Sequence, residues 1–535
     1  MTMKNKIFRF PLPAILLFAF LLNFSACLKD LDTVPLDPEE ITSASVYEDP
    51  AAYKQVLAKL YAGLALSGQE GPAGRPDISG IDEGFSTYLR QYWKAQELPT
   101  DEAVIGWNDG SLPDYHFQRW TASNEFVAAM YYRIFYQISL CNEYLRETTD
   151  SKLSDRGVSD QIKADVAFYR AEARFLRALS YWHALDMFEN VPFVTENDAV
   201  GSFLPQQTNA QDLFNYIESE LKAIETQLKA PRSNELGRAD QAAAWTLLAK
   251  LYLNAEVYIG QAKYTDCVTY CKKVIDAGYT LEPEYAKLFR IDNTESNEII
   301  FSIRFDGDHG RTWGGMTFLV HAPIGGSMAG ADFGVNGGWG GIRTTKQFVA
   351  KFDDTTGDTD SRAMFYTAGQ SLEIDDIFNF TNGYAMTKYK NVDENGNPGS
   401  DESGNWVDTD FPMFRLADVM LMYAEAVKRG GGGGDEATAL GYINALRERA
   451  YGDATGNVTA YDLPFILDER ARELYWECHR RTDLRRFGQY TGGNYLWAWK
   501  GGVKDGISTS SHFELFPIPA ADVIANPNLD QNDGY

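Results

Sequence analysis

Histidine is scarce in this chain: six occur in 535 residues, at His116, His183, His309, His321, His479 and His512. No two are spaced i, i+4 and none sits in a His-Glu-x-x-His motif, so histidine-held metal hydrolysis has no visible ligand set. Basic charge is short as well. Forty-nine Lys and Arg face 75 Asp and Glu, a net charge of −26, and a field of that sign repels phosphate backbones and anionic headgroups. Nucleic acid is therefore not an expected partner. Five cysteines form no Cys-x-x-Cys pair. Cys267 and Cys271 stand four apart on a predicted helix, where without histidine they read as small buried apolar residues. No Gly-x-Ser-x-Gly elbow occurs, because the serine of "GGSMAG" is flanked differently. The glycine run Gly430–Gly434 lacks a following Lys-Ser/Thr and a preceding strand, so it connects helices and cradles no phosphate. The longest apolar run, "PLPAILLFAFLLNF", is too short for a comfortable membrane span.

That run does have the setting of a signal peptide. Lys4, Lys6 and Arg9 precede it, and "SAC" follows with small residues before Cys27. The segment resembles a bacterial lipobox, which implies removal of residues 1–26 and acylation of Cys27. Several acyl chains on one residue suffice for a stable anchor. The "LKDLD" after Cys27 resembles the acidic export tag of surface lipoproteins in Bacteroidetes. The expected location is the outer membrane, facing outward.

Helical periodicity dominates the rest. Apolar residues recur at helical spacing over Asp49–Leu66, Ser123–Leu145, Ser159–Leu185, Ala210–Leu228 and Arg238–Tyr258. In "RADQAAAWTLLAKLYLNAEVYIGQAKYTDCVTYCKKVIDAGY", one helix lines up Ala244, Leu247, Leu248 and Leu251. A second carries Tyr264, Cys267, Val268 and Cys271. The pair resembles a tetratricopeptide repeat, which must be flanked by neighbours to bury its face. Between about Ile291 and Asp410 the periodicity is lost. Glycine-, aromatic- and Asp/Asn-rich pieces appear there ("HGRTWGGMTF", "FGVNGGWGGIRTT", "NVDENGNPGSDESGNW"), with "EIIFSIRF" and "YAMTKYK" alternating like short strands. Loops of this length usually hold a function or an interface. The expected fold is mostly α, a tetratricopeptide-like helical-repeat scaffold with a long, loop-rich insertion carrying short strands. The parts are 27–290, the insertion 291–410, and C-terminal helices and tail over 411–535, packed on the same unit.

The best catalytic candidate is the acid pair Asp101–Glu102 in "LPTDEAVIGWNDG". A glycosidase needs two acids on either side of a sugar, whereas adjacent residues point apart. The sequence favours a capping turn at Thr100 or Asp101, with Glu102 facing solvent. No enzyme is expected. Aromatics make up 13% of the chain, and Tyr and Trp offer flat apolar faces with a polar edge. Trp182 and Trp245 fall on amphipathic helices and read as core. Trp313 and Trp339, flanked by Gly-Gly, read as exposed.

Three C-terminal stretches together resemble the SusD/RagB family of outer-membrane nutrient-binding lipoproteins: "FPMFRLADVMLMYAEAV", "ILDERARELYWECHRRTDLRRFG" and "LFPIPAADVIANPNLDQNDGY". The residues themselves read as structural, with Arg472, Glu473, Arg481 and Asp483 pairing between packed helices. Within the family, "TDEAVIGWNDGSLPDYHFQRWTASNEFVAAMYYRIFYQI" looks most like the starch-binding branch. That resemblance implies capture of oligosaccharide, above all α-glucan, for a SusC-like TonB-dependent transporter. It makes Trp107 the arc tryptophan and Asp82 and Arg90 hydrogen-bonding residues. The amide expected three residues after the tryptophan is Gly110, with Asn108 nearby but not equivalent. Trp313 and Trp339 are the expected further arc aromatics. No cofactor is required, although the resemblance allows a structural calcium with Glu298 and Asp410 as its candidates.

Overall fold

The computed structural model of the chain describes residues 43–535 except 73 and 202. Tyr53–Tyr535 form one compact unit. The signal peptide and Cys27 lie outside the described residues. No helix among those described is long and apolar enough to cross a membrane.

The molecule is built mostly from helices. After α1 (Ala52–Ala62) and α2 (Tyr88–Glu97) come the long α3 (Glu125–Glu147) and α4 (Asp160–Phe188), then α5 (Ala210–Ile224). Local chemistry sets their starts. Asn124 accepts from the N–H groups of Phe126 and Val127, and Ser159 from that of Ile162, satisfying donors that the first turn leaves free. Helices α3 and α4 pack together, and α5 packs on α4. Trp182 is buried there, as the sequence indicates.

The repeat read from the sequence is present as α6 (Gln241–Leu253) packed on α7 (Tyr264–Ile275). Cys267 and Cys271 are buried on the packed face of α7. The next partner of α7 is α9 (Leu416–Lys428), which packs in turn on α10 (Glu436–Tyr451), beyond the glycine run. The chain therefore leaves the helical stack after α7, forms the insertion, and returns to the same stack. That insertion includes the short helix α8 (Gly315–His321).

Two strand pairs hold the insertion. The neck is closed by β2 (Ile299–Ile303) antiparallel to β4 (Phe411–Arg415), with Ile299 opposite Arg415 and Ile303 opposite Phe411. Further out, β1 (Val104–Ile105) pairs with β3 (Ile342–Arg343), Val104 opposite Arg343 and Ile105 opposite Ile342. This second pair ties the loop after α2 to the glycine-rich loop.

The C-terminal part adds α11 (Leu463–Leu474), begun by an Asp462 cap with proline in its first turn, and α12 (Arg480–Arg486). A lattice of buried charges joins them to the neck. Glu473 takes Arg415 at 2.6 Å, Arg362 at 3.2 Å, and Arg449. Arg470 bridges Asp418 (2.9 Å) and Asp483 (2.7 Å) and Arg481 meets Asp186 (2.7 Å), whereas Arg472, expected to pair between helices, meets Glu469 (2.6 Å) within α11. Buried charges cost heavily unless paired and hydrogen-bonded. Here each is, which fixes how the helices register.

Candidate functional site

The β1–β3 ladder continues one residue further, as Gly106 N–H donates to Gly341 O at 2.8 Å. That register lays Trp107 beside Trp339. A Cβ on Gly341 would lie 2.6 Å from the Trp107 ring, so glycine is what lets the two chains approach. The Trp107 Nε1–H donates to Trp339 O at 3.2 Å, and the two rings are 6.2 Å apart. Trp313 stands 6.1 Å beyond Trp339 and 4.2 Å from Trp406. Trp107, Trp339 and Trp313 thus form a row of three half-buried rings, with the buried Trp406 behind its end. Gly106, Trp107, Asn108, Asp109 and Trp339 line an open depression of about 530 Å³.

Helix α8 is the floor of this row, and it is fully buried. Phe318 meets Trp107 edge-on at 6.0 Å, and His321 stacks on Trp339 at 4.9 Å with the planes 14° apart. Their i, i+3 spacing puts both under the rings on one helix face. The Arg90 guanidinium stands next to both rings, 4.4 Å from the Phe318 centroid and 6.0 Å from that of Trp107. Arg90 Nη1 donates to Gly84 O and Trp313 O, both at 2.9 Å. Burial brings the Arg90 pKa down to about 10, opposed by Asp82 and Asp109, so it stays charged at neutral pH.

The expected residues are thus brought to one place, in roles partly different from those expected. Arg90 braces the Trp313 loop through a backbone carbonyl. Exposed Asp82 uses Oδ1 to accept the N–H groups of Gly84 (2.8 Å) and Phe85 (3.3 Å), shaping the turn that leads to Arg90. Asn108 is exposed on the rim. Trp313 and Trp339 are half-buried, less open than their Gly-Gly flanks indicate, because they pack on one another. At Gly110, where the family resemblance leads one to look for an amide, a Cβ would fall 2.0 Å from Glu125 Oε1. The Glu125 carboxylate occupies that space. Glu125, Phe318, His321 and Trp406 are the site residues missed by sequence reasoning. Trp406 closes "SGNW", where a single glycine two residues upstream gives no Gly-Gly flank of the kind that marks the other two.

The acid pair is a correction. Thr100 caps the turn, its Oγ1 accepting the Glu102 N–H at 3.2 Å, but Glu102 does not face solvent and neither acid is free. Asp101 is fully buried, and the Arg480 fork donates to both its oxygens (Nε 2.7 Å, Nη2 2.9 Å), with Tyr495 Oη adding a third bond at 2.7 Å. Burial alone pushes its pKa up, and Arg480 and Lys351 bring it down to about 2. Glu102, 2% exposed, accepts the Trp476 N–H at 3.0 Å. Burial pushes its carboxyl up to about 7.

Both calcium candidates are committed to arginines. Glu298 accepts from Arg415 (2.8 Å), Arg449 (2.9 Å) and the Glu282 N–H (2.8 Å). Asp410 accepts from Arg304 (2.5 Å) and the Phe305 N–H (3.0 Å). Among the described residues no three His, Cys, Asp or Glu side chains converge as a metal site.

Comparison with known proteins places the chain in a family. The sequence profile of the SusD family matches residues 355–535. The starch-binding protein SusD of Bacteroides thetaiotaomicron is 36% identical, over all of both chains. SusD-like protein P25 of Formosa agariphila is 27% identical over 75% of this chain and 77% of its own. Among solved structures, surface glycan-binding protein A of Bacteroides thetaiotaomicron, in complex with laminarihexaose, superposes with a TM-score of 0.67. That match covers 90% of this chain and 98% of the other, at 21% identity. Family profile, full-length relative and helical scaffold agree: this chain belongs to the SusD family.

Proposed function

We propose that this protein is a cell-surface lipoprotein that captures oligosaccharide, foremost α-glucan, in the depression beside Trp107, Trp339 and Trp313. From there it passes the glycan to a SusC-like TonB-dependent transporter in the outer membrane. The carrying observation is the tryptophan row itself, three half-buried rings held in register by the β1–β3 ladder and floored by α8. Axial C–H groups of a pyranose lie on such rings, while Asn108 and Asp109 on the rim can meet its hydroxyls. The 36% identity to a starch-binding protein supports α-glucan as the first ligand to test.

Binding needs no cofactor, and Asp101 and Glu102, the acid pair with a catalytic look in the sequence, are spent inside the core. By analogy with base stacking, each ring contributes roughly 1–3 kcal/mol. Three rings less ordering costs give an affinity of roughly micromolar to millimolar. Many anchored copies on one polymer raise the effective affinity while leaving each site free to release.

Calorimetry with maltoheptaose and amylopectin, and with laminarihexaose as the β-linked comparison, tests the reading. W107A is expected to abolish measurable binding with an unchanged helical circular dichroism spectrum. Absence of binding to every glycan would remove the function, and full affinity in W107A would remove Trp107 from the site.

A further inference from the structure

His321 makes two contacts that a neutral ring cannot satisfy together. It is 1% exposed. Its Nδ1 lies 2.7 Å from Gly337 O, and its Nε2 lies 3.0 Å from Asn405 O. Carbonyl oxygens accept and never donate, so each contact needs an N–H on the ring. A neutral imidazole has one N–H. In either tautomer, one nitrogen then turns a lone pair toward a carbonyl lone pair at hydrogen-bond distance. The imidazolium donates to both.

The two carbonyls belong to the loops that carry Trp339 and Trp406. Gly337 precedes Trp339 by two residues, and Asn405 directly precedes Trp406. Each loop is otherwise tied down nearby. Trp339 N–H donates to His321 O at 2.9 Å. Asp401 Oδ2 accepts the N–H groups of Asn405 and Trp406, both at 2.9 Å. Asn336 Nδ2 crosses between the loops to Asn405 Oδ1 at 2.8 Å. Asn336 also donates from its N–H to Gly404 O (3.0 Å) and from Nδ2 to Ser403 O (2.9 Å), so His321, with its ring face against Trp339, adds to these fixed ties the titratable one.

We propose that His321 is a proton-gated positioning residue: its imidazolium clamps the Trp339 and Trp406 loops together, and the neutral ring releases one of them. The inference rests on reading the tryptophan row as the glycan site. The charged surroundings leave the gate to His321. Helix α8 and the loop over 334–341 carry no charged side chain. On the Asn405 loop, the Asp401 carboxylate is engaged by Ser403 and the two N–H groups. Arg90 and Lys94 reach α8 one turn away, at Phe318. Burial holds the imidazole below the ordinary histidine range, while the two carbonyls pull it upward. A glycan stacked on Trp339 favours the ordered loops, so binding takes up a proton and affinity rises as pH falls.

Two readouts test this, one with glycan and one without. In ligand-free protein, amide exchange over 336–341 and 403–406, corrected for intrinsic rates, should slow between about pH 8 and pH 4.5. In H321Q, whose side-chain amide has a donor and an acceptor and does not titrate, it should stay constant. Maltoheptaose affinity should tighten roughly three- to tenfold over the same range in the wild type, the worth of one hydrogen bond, and remain flat in H321Q. Nitrogen-15 shifts of the histidine ring, assigned by their loss in H321Q, should show both nitrogens protonated at the acidic end. Identical pH profiles in the two proteins, or a neutral ring throughout, would overturn the clamp. If no glycan bound at any pH, the proposed function would fail, while loop protection and ring shifts would still decide the role of His321.

Discussion

The charge lattice around Glu473 and the tryptophan row around Trp339 are both assembled from distant segments, and both use costly side chains. They differ in what is left over. In the lattice, Glu473 and Arg415 are at most 1% exposed and spend their polar atoms on one another and on Arg449, Arg362 and Glu477. In the row, Trp107 satisfies its N–H on the Trp339 carbonyl but keeps part of its ring open. A saturated cluster holds a fold, and an unsaturated one can hold a ligand. "TDEAVIGWND" crosses from one to the other within a few residues, Asp101 and Glu102 lying on the saturated side and Trp107 on the open one.

The largest effect should come from breaking the lattice. E473Q removes the charge that three arginines share in a fully buried site, and breaking buried pairs of this kind costs about 3–5 kcal/mol. Urea denaturation should show that loss as a lower midpoint with an unchanged slope. Maltoheptaose affinity, measured where the variant is still folded, should stay within about twofold of wild type. A large affinity loss in folded E473Q would mean that the two regions are not independent.

A second effect is visible only against pH. Glu102 lies beside Glu97, whose carboxyl is also raised, by burial first and then by Glu102 itself. The folded state keeps the Glu102 proton up to about 7, against an ordinary value of 4.5. From about pH 4.5 the unfolded chain gives it up first, so the wild type loses stability as pH rises, and the loss is complete above about 7. Glutamine does not titrate. The stability of wild type minus that of E102Q should therefore fall by roughly 1–3 kcal/mol between pH 4 and pH 8. A constant difference would show that Glu102 titrates at the same pH in the folded and the unfolded chain.

Much of this contrast could be read from the chain. Helices such as α3 and α4 announce themselves through local periodicity and an Asn or Ser cap. Trp313 and Trp339 stand out because Gly-Gly flanks give no amphipathic helical pattern that would mark them as core. What could not be read depends on distance. Arg480, the partner of Asp101, is 379 residues away, so an acid pair that looks capping or catalytic locally is in fact core. Helix α8 is seven residues long and sits inside a glycine-rich stretch, too short for a periodic signal, so Phe318 and His321 went unnoticed beneath the rings. Arg90 was legible as a site residue, but its hold on the Trp313 carbonyl was not, because that bond spans 223 residues.

The finest test of the comparison alters the row without touching a ring. Gly341 does not need a left-handed backbone; it is small because Trp107 passes beside it, with Cε2 and Cζ2 both 2.6 Å from where a Cβ would stand. In G341A the added methyl should push the indole away from Trp339 and lengthen its bond to the Trp339 carbonyl. The depression is open at that point, so the ring has somewhere to go, and the stability cost should stay near 1 kcal/mol, the low end for overpacking. Affinity for maltoheptaose should fall about fivefold, because two rings out of register cannot both lie on one pyranose chain. Thermal denaturation and calorimetry on the same preparation separate the two effects. Unchanged affinity would mean that Trp107 and Trp339 bind as independent faces, and that the β1–β3 register serves the fold alone.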